Sequence, residues 1–528
     1  MASSTSKSAL TNKSAFASKE VKVLTFSVFI AGLCSIIYEL LIATTSSYFL
    51  GDSITQFSLT IGIYMAAMGV GSYLSRLVSD KHLLQRFIIA EIVLALLGGA
   101  SVPLLYLAFA YTDVYQAFAL GLTFVIGCLI GLEIPLLSRL MEEHFALKFN
   151  ISNIMSVDYF GALLATLLFP FLLLPYMGIF RSSTFFGLAN VLIAVVTLWC
   201  FAPSIGIKRT KILHACWVGV ATLLGVLLIF ADGFIARWSS NLYGDRIIYQ
   251  TQTPYQNIVL TKYKDDIRLF LNGNLQFSAI DEYRYHESIV HIPMSYQPKA
   301  KQVLLLGAGD GLAVRELLKY KDIEKITLVD LDPEVTALAM SNRFLAKLNQ
   351  NSLSHEKVEV IHTDGFKFLH QGLEPSDDNN APQYDLIIAD LPDPKTTALA
   401  RFYSKEFYQL IKRRLTPKGV FVTQATSPIY ATDAFWSIVL SMEAADFNQV
   451  KPYHVNVPSF GEWGFIAGIN HSHAPASIAT DGLKFIDGQQ SNHMFHFSKD
   501  IAKREVKVST LDRPVVMDYY LAGWRYWN

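Results

Sequence analysis

The sequence has no excess of either charge. Among its 528 residues, 44 Lys and Arg stand against 44 Asp and Glu, which gives a formal net charge of zero at pH 7. Proteins that bind nucleic acid through their surface usually carry a basic excess or a basic patch. We therefore expect no nucleic-acid partner.

Cysteine is also scarce, and it is not clustered. The four cysteines, Cys34, Cys128, Cys200 and Cys216, all lie in apolar stretches, and none belongs to a Cys-x-x-Cys pair. Disulfide frameworks and structural zinc sites need clustered ligands. We expect neither, and no metal ion enters the predicted chemistry.

The first half of the chain is rich in long apolar stretches. Up to about residue 233, seven of them are long enough to cross a ~30 Å hydrocarbon core as helices. Lipid offers no partners to free backbone groups, so these runs are predicted to be helical. They are roughly 23–49, 55–77, 86–110, 114–138, 153–179, 182–203 and 212–232. The pattern predicts a transmembrane helical bundle over residues 22–233, behind a polar leader (residues 1–21) that we expect to be disordered.

Four carboxylates interrupt the apolar stretches: Glu39, Glu91, Glu133 and Asp158. One interpretation is that they hydrogen-bond between helices or lie near lipid headgroups. The other is a polar cavity that binds or moves a cation, because acids within a membrane are costly and are often functional. The sequence leaves both interpretations open.

The second half has the composition of a water-soluble α/β protein. Residues 234–298 contain short β-rich runs and an Asn272-Gly273 turn, which predict a small β-meander. Over residues 299–528, β-rich runs alternate with helical patterns, as is typical of a doubly wound, mostly parallel sheet. Five predicted strands are Val303–Leu306, Ile326–Asp330, Val358–Ile361, Asp385–Ala389 and Val420–Thr423. The polar run Glu374–Pro382 is predicted to be a solvated loop.

Glycines follow the first of these strands, in the run Gly307-Ala308-Gly309-Asp310-Gly311. They would let a nucleotide approach the backbone beside a helix N-terminus. Asp330 ends the next strand, at about the spacing of an acid that holds ribose hydroxyls. The third glycine of a dinucleotide motif is missing, which favours an S-adenosyl compound. The alternative for Asp330 is a cap for the helix that starts near Pro333.

Carboxylates also follow the third and fourth predicted strands. Asp364, in Asp364-Gly365, could accept a hydrogen bond from an adenine amino group, or it could cap the next helix. Asp390 and Asp393, in Asp390-Leu391-Pro392-Asp393-Pro394, could converge on one cationic substrate. The two prolines would stiffen that loop. A solvated turn is the alternative.

Together these runs resemble the spermidine synthase family of polyamine aminopropyltransferases, in its bacterial membrane-spanning form. The resemblance covers about residues 254–470. Its motifs are Tyr255-Gln256-Asn257-Ile258, Asp281–Glu287, Gly307–Gly311, Asp330-Leu331-Asp332, Asp364-Gly365 and Asp390–Pro394. It implies a Rossmann-like domain of the S-adenosylmethionine-dependent methyltransferase type. It also implies transfer of an aminopropyl group from decarboxylated S-adenosylmethionine to a polyamine acceptor, which would make spermidine from putrescine.

The same resemblance assigns roles to residues. Asp390 and Tyr285 would be catalytic. The donor and its nucleoside would contact Gln256, Gly307, Gly309, Asp310, Asp330, Asp364 and Gly365. The amine would contact His286, Asp310 and Asp393. No cofactor is implied, because decarboxylated S-adenosylmethionine is a co-substrate whose sulfonium is already an excellent leaving group.

The acceptor side departs from the family pattern. Lys395-Thr396-Thr397 stands where the family has an Ile-Gly-Pro-like run, and Thr426 stands where a glutamate is expected. Val457-Pro458-Ser459-Phe460-Gly461 replaces a tyrosine-bearing Pro-Thr-Tyr stretch. The donor side is therefore closer to the family than the acceptor side.

Two other functions remain open at this point. One is a methyltransferase on the same fold, although Asp310, Asp390 and Asp393 would disfavour a donor that keeps the methionine carboxylate. The other is a membrane transporter or sensor whose soluble domain only binds a polyamine or nucleoside, although the Asp390–Tyr285 pair favours catalysis. Soluble relatives are commonly oligomers, so the resemblance implies a homo-oligomer as well.

The membrane topology contains a conflict. Lys and Arg are concentrated in the leader and in alternate loops, which predicts a cytoplasmic N-terminus. Seven crossings would then place the second half outside, where its nucleoside substrate is not made. One stretch could be re-entrant, or a long one such as 153–179, with Pro170 and Pro175, could hold two helices. We expect a multi-pass protein of the inner membrane with a cytoplasmic catalytic domain.

Overall fold

The computed structural model describes residues 19–50, 53–142, 147–235, 243–371 and 382–527. The chain divides into two compact units, Met1–Gly244 and Asp245–Asn528. Most of the predicted leader and of the polar run Glu374–Pro382 lies outside the described residues.

The first unit is helical. Its main helices are α1 (Lys19–Leu50), α2 (Ser53–Leu74), α3 (Leu83–Gly99), α4 (Ser101–Tyr111), α5 (Tyr115–Met141), α6 (Leu147–Leu168), α7 (Gly178–Ile205) and α8 (Ile207–Ile229). In the described part of the chain, seven helical segments are long and apolar enough to cross a membrane, and α4 is shorter. The prediction of a helical apolar N-terminal region is confirmed.

The stretch predicted as one helix over residues 86–110 is two helices. α3 ends at Gly99, Ala100 has φ −93° and ψ 1°, and α4 begins at Ser101. Pro103 lies in the first turn of α4, where a missing N–H breaks no helical hydrogen bond. By contrast, the predicted stretch 153–179 does not break at its prolines. A π-helical turn (Phe169–Leu173) and a helical turn (Leu174–Tyr176) follow α6 and contain Pro170 and Pro175.

Glycines allow α2 and α5 to pack closely. A Cβ atom on Gly71 would lie 2.0 Å from the carbonyl oxygen of Cys128, and one on Gly131 would lie 2.1 Å from that of Met68. Any larger residue would therefore push the two helices apart, as is typical of small residues at helix contacts in membranes.

The second unit begins with a four-stranded antiparallel sheet. Its strands, β1 (Arg246–Gln252), β2 (Asn257–Tyr263), β3 (Asp266–Leu271) and β4 (Asn274–Ser278), are hydrogen-bonded in chain order. Asn272 and Gly273 connect β3 to β4 with φ values of 50° and 78°, which Asn and Gly tolerate best.

A seven-stranded sheet forms the rest of this unit. Its strands are β5 (Gln302–Gly307), β6 (Lys325–Asp330), β7 (Val358–His362), β8 (Tyr384–Asp390), β9 (Leu415–Gln424), β10 (Gln449–Val457) and β11 (Gly461–Ile469). Their order is β10-β11-β9-β8-β5-β6-β7. β11 is antiparallel to both neighbours, and the pairs from β9 to β7 are parallel. The predicted Rossmann-like sheet is confirmed, whereas β10 and β11 were not predicted.

Helices cover both faces of the large sheet. They are α9 (Glu282–Tyr296), α10 (Leu312–Leu317), α11 (Pro333–Ser341), α12 (Arg343–Leu348), α13 (Gly365–His370), α14 (Thr397–Ala400), α15 (Lys405–Arg414), α16 (Thr432–Glu443), α17 (Gln490–His493) and α18 (Val515–Trp527). Val303 and Leu305 of β5 belong to one core cluster, and Leu304 and Leu306 belong to the other. Burial on both faces explains why β5 is an unbroken apolar run.

Candidate active site

The predicted site residues meet at the carboxyl edge of the large sheet. β5 ends at Gly307, β6 at Asp330 and β8 at Asp390. Gly307 pairs with Asp390, and Asp330 pairs with His362. Ligands of open α/β sheets bind at this edge, so the sheet itself gathers residues that are up to 83 positions apart in the chain.

Two glycines let the turn after β5 fit against these aspartates. Gly307 has φ 80°, and a Cβ atom there would lie 2.1 Å from the carbonyl oxygen of Asp390. A Cβ atom on Gly309 would lie 2.5 Å from Oδ2 of Asp330. The protein therefore needs both glycines for its own packing, apart from any role toward a nucleotide.

Asp390 and Tyr285 are joined by a short hydrogen bond. The phenol of Tyr285 donates to Oδ1 of Asp390 over 2.5 Å. α9 carries Tyr285, whose ring centroid lies 5.1 Å from that of Phe465 and 6.0 Å from that of Phe460. Burial raises the pKa of Asp390 and also holds the pKa of Tyr285 well above its ordinary value. The phenol therefore stays protonated, and the carboxylate is the acceptor.

His286, the next residue of α9, is a buried cation. Its Nδ1 lies 2.9 Å from Oε2 of Glu282, and Arg315 donates to both oxygens of the same carboxylate at 2.9 and 3.0 Å. Burial opposes the charge, but the hydrogen bond and charge of Glu282 prevail and raise the pKa of His286 to about 9. The positive charge of His286 lowers the pKa of Asp310 and of Asp390, against their burial.

This arrangement argues against direct binding of the amine by His286, which the sequence predicted. Nδ1 is occupied by Glu282, so only Nε2 is left to meet a ligand. A charged imidazolium also repels an ammonium group, whereas it stabilises the carboxylates around it. The geometry favours His286 as a countercharge within the acidic site.

Backbone amides hold the two aspartates of the predicted donor side. The N–H of Leu312 donates to Oδ1 of Asp310, and the N–H of Asp332 donates to Oδ1 of Asp330, both over 2.9 Å. Burial raises the pKa of Asp310, and it raises the pKa of Asp330 to about 6. The cap of α11 is Asp332, which accepts from the N–H of Glu334 over 3.1 Å. Asp330 is therefore not the helix cap.

Gln256 and Asp364 already have partners within the protein. The amide of Gln256 donates to Oδ2 of Asp332 over 3.0 Å. Asp364 caps α13 by accepting from the N–H of Lys367 over 3.0 Å, and it also pairs with Arg401. The capping alternative is therefore observed for Asp364, and an adenine amino group would share its carboxylate with two donors.

Gly365, which follows Asp364, leaves space in front of the sheet. The nearest atoms to a Cβ atom built there are 3.7 Å away on Leu306 and 3.8 Å away on Phe402. These are ordinary contact distances, so packing alone does not require glycine at this position.

Asp393 accepts hydrogen bonds from two residues that the sequence did not reveal. Tyr520 donates to its Oδ2 over 3.0 Å, and Gln424 donates to its Oδ1 over 3.3 Å. Gln424 also donates to the carbonyl oxygen of Leu391 over 2.6 Å. Burial raises the pKa of Asp393. Burial lowers the pKa of the neighbouring Lys395, which the charge of Asp393 opposes.

Other contributors were also missed, for physical reasons. Glu282 lies inside the recognised run Asp281–Glu287, and its i,i+4 spacing to His286 could have marked the pair. Tyr520 is 127 residues from Asp393, and no local pattern connects them. Ala308 and Thr426, with φ values of 61° and 56°, put strained backbone at two strand ends, as is common at functional sites.

The arrangement suits an ammonium ligand. Half-buried carboxylates at one edge attract a cation, and a carboxylate with a raised pKa is a better proton acceptor than one with an ordinary pKa. Within the described ranges, no group of three or more His, Cys, Asp or Glu side chains could hold a metal ion.

Comparisons with known proteins identify relatives of this chain. The model of the spermine/spermidine synthase domain matches residues 282–480. A polyamine aminopropyltransferase of Leptospira interrogans is 41% identical over 504 residues, covering 95% of this chain and 98% of that protein. Polyamine aminopropyltransferase 2 of Ralstonia nicotianae is 39% identical over 512 residues, with coverages of 95% and 98%. Spermidine synthase from Thermotoga maritima, a solved structure, is 24% identical, covers 48% of this chain and 85% of its own, and has a TM-score of 0.42.

Proposed function

This chain belongs to the spermine/spermidine synthase family of polyamine aminopropyltransferases, and from that premise we propose that it transfers the aminopropyl group of decarboxylated S-adenosylmethionine to putrescine. Spermidine and methylthioadenosine are the products of that reaction. The activity class follows from the family, whereas the donor, the acceptor and the cellular placement are the proposed parts.

The hydrogen bond between Tyr285 and Asp390 carries the proposal. An alkyl ammonium has a pKa close to that of lysine, about 10.4, and its nitrogen has no free lone pair when protonated. Asp390 binds the ammonium and accepts its proton, and Tyr285 fixes the carboxylate from the other side. The freed amine then attacks the aminopropyl carbon next to the sulfonium. The carbon–sulfur bond breaks, its electron pair stays on sulfur, and methylthioadenosine leaves as a neutral thioether.

Asp310 supports a decarboxylated donor. Its half-buried carboxylate lies in the glycine turn, where the S-adenosyl compound is expected to bind. A donor that ends in an ammonium group is attracted there, whereas intact S-adenosylmethionine brings a second carboxylate and is repelled. The same charge disfavours the methyltransferase alternative.

The surroundings of Tyr285 suit an aliphatic amine. Its ring packs near Phe460, whose ring centroid is 4.9 Å from that of Trp463. Aromatic faces accommodate methylene groups, and they attract ammonium ions through their π-electrons. A diamine such as putrescine can therefore place one nitrogen at Asp390 and its chain along these rings.

The first unit supports anchoring in the inner membrane. We assign residues 22–233 to the membrane bundle, 234–298 to the small β domain and 299–528 to the transferase domain, with the transferase domain in the cytoplasm. The seven long apolar helices support anchoring. The need for an intracellular nucleoside supports placing the transferase domain on the cytoplasmic side of the membrane. Reporter fusions at residue 528 test that placement, because a cytoplasmic reporter and a periplasmic one are active on opposite sides.

Product analysis by mass spectrometry tests the reaction. The full-length enzyme in detergent is incubated with decarboxylated or intact S-adenosylmethionine and with a panel of amines. We expect spermidine and methylthioadenosine from the decarboxylated donor and putrescine. A methylated amine from the intact donor would support a methyltransferase. Tight binding of nucleoside and amine without turnover would support a sensor or transporter.

A further inference from the structure

The C-terminal helix α18 brings a phenol to the acceptor side of the site. Tyr520 donates to Oδ2 of Asp393 over 3.0 Å, while Gln424 donates to Oδ1 over 3.3 Å. Tyr520 lies 40 residues beyond the end of the region that the family model matches, residue 480. The contact therefore lies outside the part of the chain that the family model matches.

α18 packs closely against the rest of the α/β unit, which fixes the position of the Tyr520 phenol. A Cβ atom on Gly523 would lie 2.6 Å from the carbonyl oxygen of Tyr430, so the helix backbone packs directly on that segment. The rings of Trp524 and Tyr430 are 4.9 Å apart, and Val516 is fully buried. Tyr430 follows β9, the strand that supplies Gln424. Both donors to Asp393 therefore come from one packed assembly.

The two donors are neutral. A phenol and an amide orient a carboxylate without cancelling its charge, whereas a cation in the same place would compete with a cationic substrate. Each oxygen of Asp393 receives one of these hydrogen bonds, and a carboxylate has capacity for about four in total. The remaining capacity is available to a substrate ammonium.

We propose that Tyr520 is a positioning residue that orients Asp393 toward the ammonium of the acceptor, so that the C-terminal helix sets the affinity for the amine. The inference rests on the proposed function, because Asp393 is assigned there to the amine. It makes α18 part of acceptor recognition and leaves donor binding to the strand ends of β5, β6 and β7.

The test compares Tyr520→Phe with Tyr519→Phe in the full-length enzyme in detergent. Both changes remove one phenol from α18, but only Tyr520 contacts Asp393. We expect Tyr520→Phe to raise KM for putrescine on the order of 10-fold, the loss expected for a hydrogen bond to a charged group. KM for the donor should stay within about twofold, because weaker binding of the amine leaves the contacts to the nucleoside unchanged. Tyr519→Phe should behave as wild type.

A pH profile distinguishes a positioning role of Tyr520 from a role in packing alone. The hydrogen bond from Tyr520 and the nearby charge of Lys395 both stabilise the charged form of Asp393, so loss of the hydrogen bond alone raises the pKa of that carboxyl further. The acidic limb of kcat/KM for the amine should then move to higher pH in Tyr520→Phe. In an Asp393→Asn background, Tyr520→Phe should change KM for the amine by less than about twofold, because the carboxylate through which Tyr520 acts is absent.

Incorporation of 3-fluorotyrosine at position 520 covers the case of an unstable Phe variant. It keeps the ring and strengthens the phenol as a donor, so the acidic limb should move to lower pH. An unchanged KM for the amine and an unchanged limb in an active Tyr520→Phe enzyme would overturn the inference. An unmoved limb in the fluorotyrosine enzyme would do the same. A wild-type enzyme that makes no aminopropylated amine would instead overturn the proposed function.

Discussion

Buried carboxylates occur in the helical unit and half-buried ones in the α/β unit, and their surroundings differ. In the helical unit, Glu91 and Glu133 are buried and hydrogen-bond to each other, and within the described residues the Oε1 atom of each has no hydrogen-bond partner. Asn190 donates to the other oxygen of Glu91 over 3.0 Å. In the α/β unit, Asp390 and Asp393 receive phenol or amide donors.

The difference concerns preorganisation. A catalytic carboxylate must be held in one orientation before the substrate arrives, and directed donors hold it. An acid whose oxygens lack donors destabilises the fold unless something else satisfies it. The α/β unit therefore has the features of a preorganised reaction site, and the helical unit holds polar groups whose burial costs stability. The predictions below sharpen or break this contrast.

The largest effect is expected from Asp390→Asn. The change is nearly isosteric, but it removes the charge that binds the ammonium and the base that accepts its proton. We expect turnover to fall by ~10²–10⁴-fold, while nucleoside binding stays within a few-fold. Single-turnover rates and donor titrations measure the two quantities. The exposed Asp322→Asn is the matched control, and a variant with more than about a tenth of wild-type turnover would exclude Asp390 as the general base.

The His286–Glu282 pair predicts a pH-dependent stability of the α/β unit. The pKa of His286 in the folded protein is about 9, above the ordinary value near 6.5. Its stabilising effect is therefore complete below pH 6.5 and is lost as pH rises toward 9 and above. The shift corresponds to roughly 3 kcal/mol. Thermal melting from pH 6 to 10 should show a decline that His286→Gln flattens, and equal slopes in the two proteins would contradict a charged His286.

How much of this was predictable from the sequence depends on distance along the chain. β5 to β9 could be predicted because each is a short apolar run followed by a helix, and the strand-end rule then gathers Gly307, Asp330 and Asp390. β10 and β11 were not predicted, although they form a local hairpin in which Val457 pairs with Gly461; β11 then inserts between β9 and β10. Tyr520 was missed because it lies 127 residues from Asp393, and only the docking of α18 brings the two together.

Local ambiguity produced the other differences. Asp330 was considered as a cap, but Asp332 directly precedes Pro333 and is the residue that accepts from the N–H of Glu334. In the helical unit, Pro170 and Pro175 suggested an interrupted helix, yet the interruption lies at Ala100, between α3 and α4. A π-helical turn absorbs the missing backbone donor of proline, and sequence alone does not show that turn.

Asp330→Ala should affect binding of the donor more than chemistry. The proposed bond to ribose exists in the ground state and in the transition state alike, so its loss raises KM for the donor by about 10-fold and changes kcat less. Initial rates at varied donor and saturating amine measure this split. Collapse of kcat with unchanged donor affinity would move Asp330 from nucleoside binding to the chemical step.

The smallest effect is expected from removing the helical unit. Every residue that we assign to the site, from Gln256 to Tyr520, lies in the compact unit Asp245–Asn528. A chain that starts at Ile235 should therefore keep kcat and both KM values within about threefold of the full-length enzyme in detergent. Glu133→Gln in the full-length protein is the matched test of the unsatisfied acids, and it should change amine binding or movement across the bilayer before it changes kcat. If the truncated protein folds and binds the donor but does not turn over, the helical unit completes the catalytic site, and the contrast between the two units would have to be abandoned.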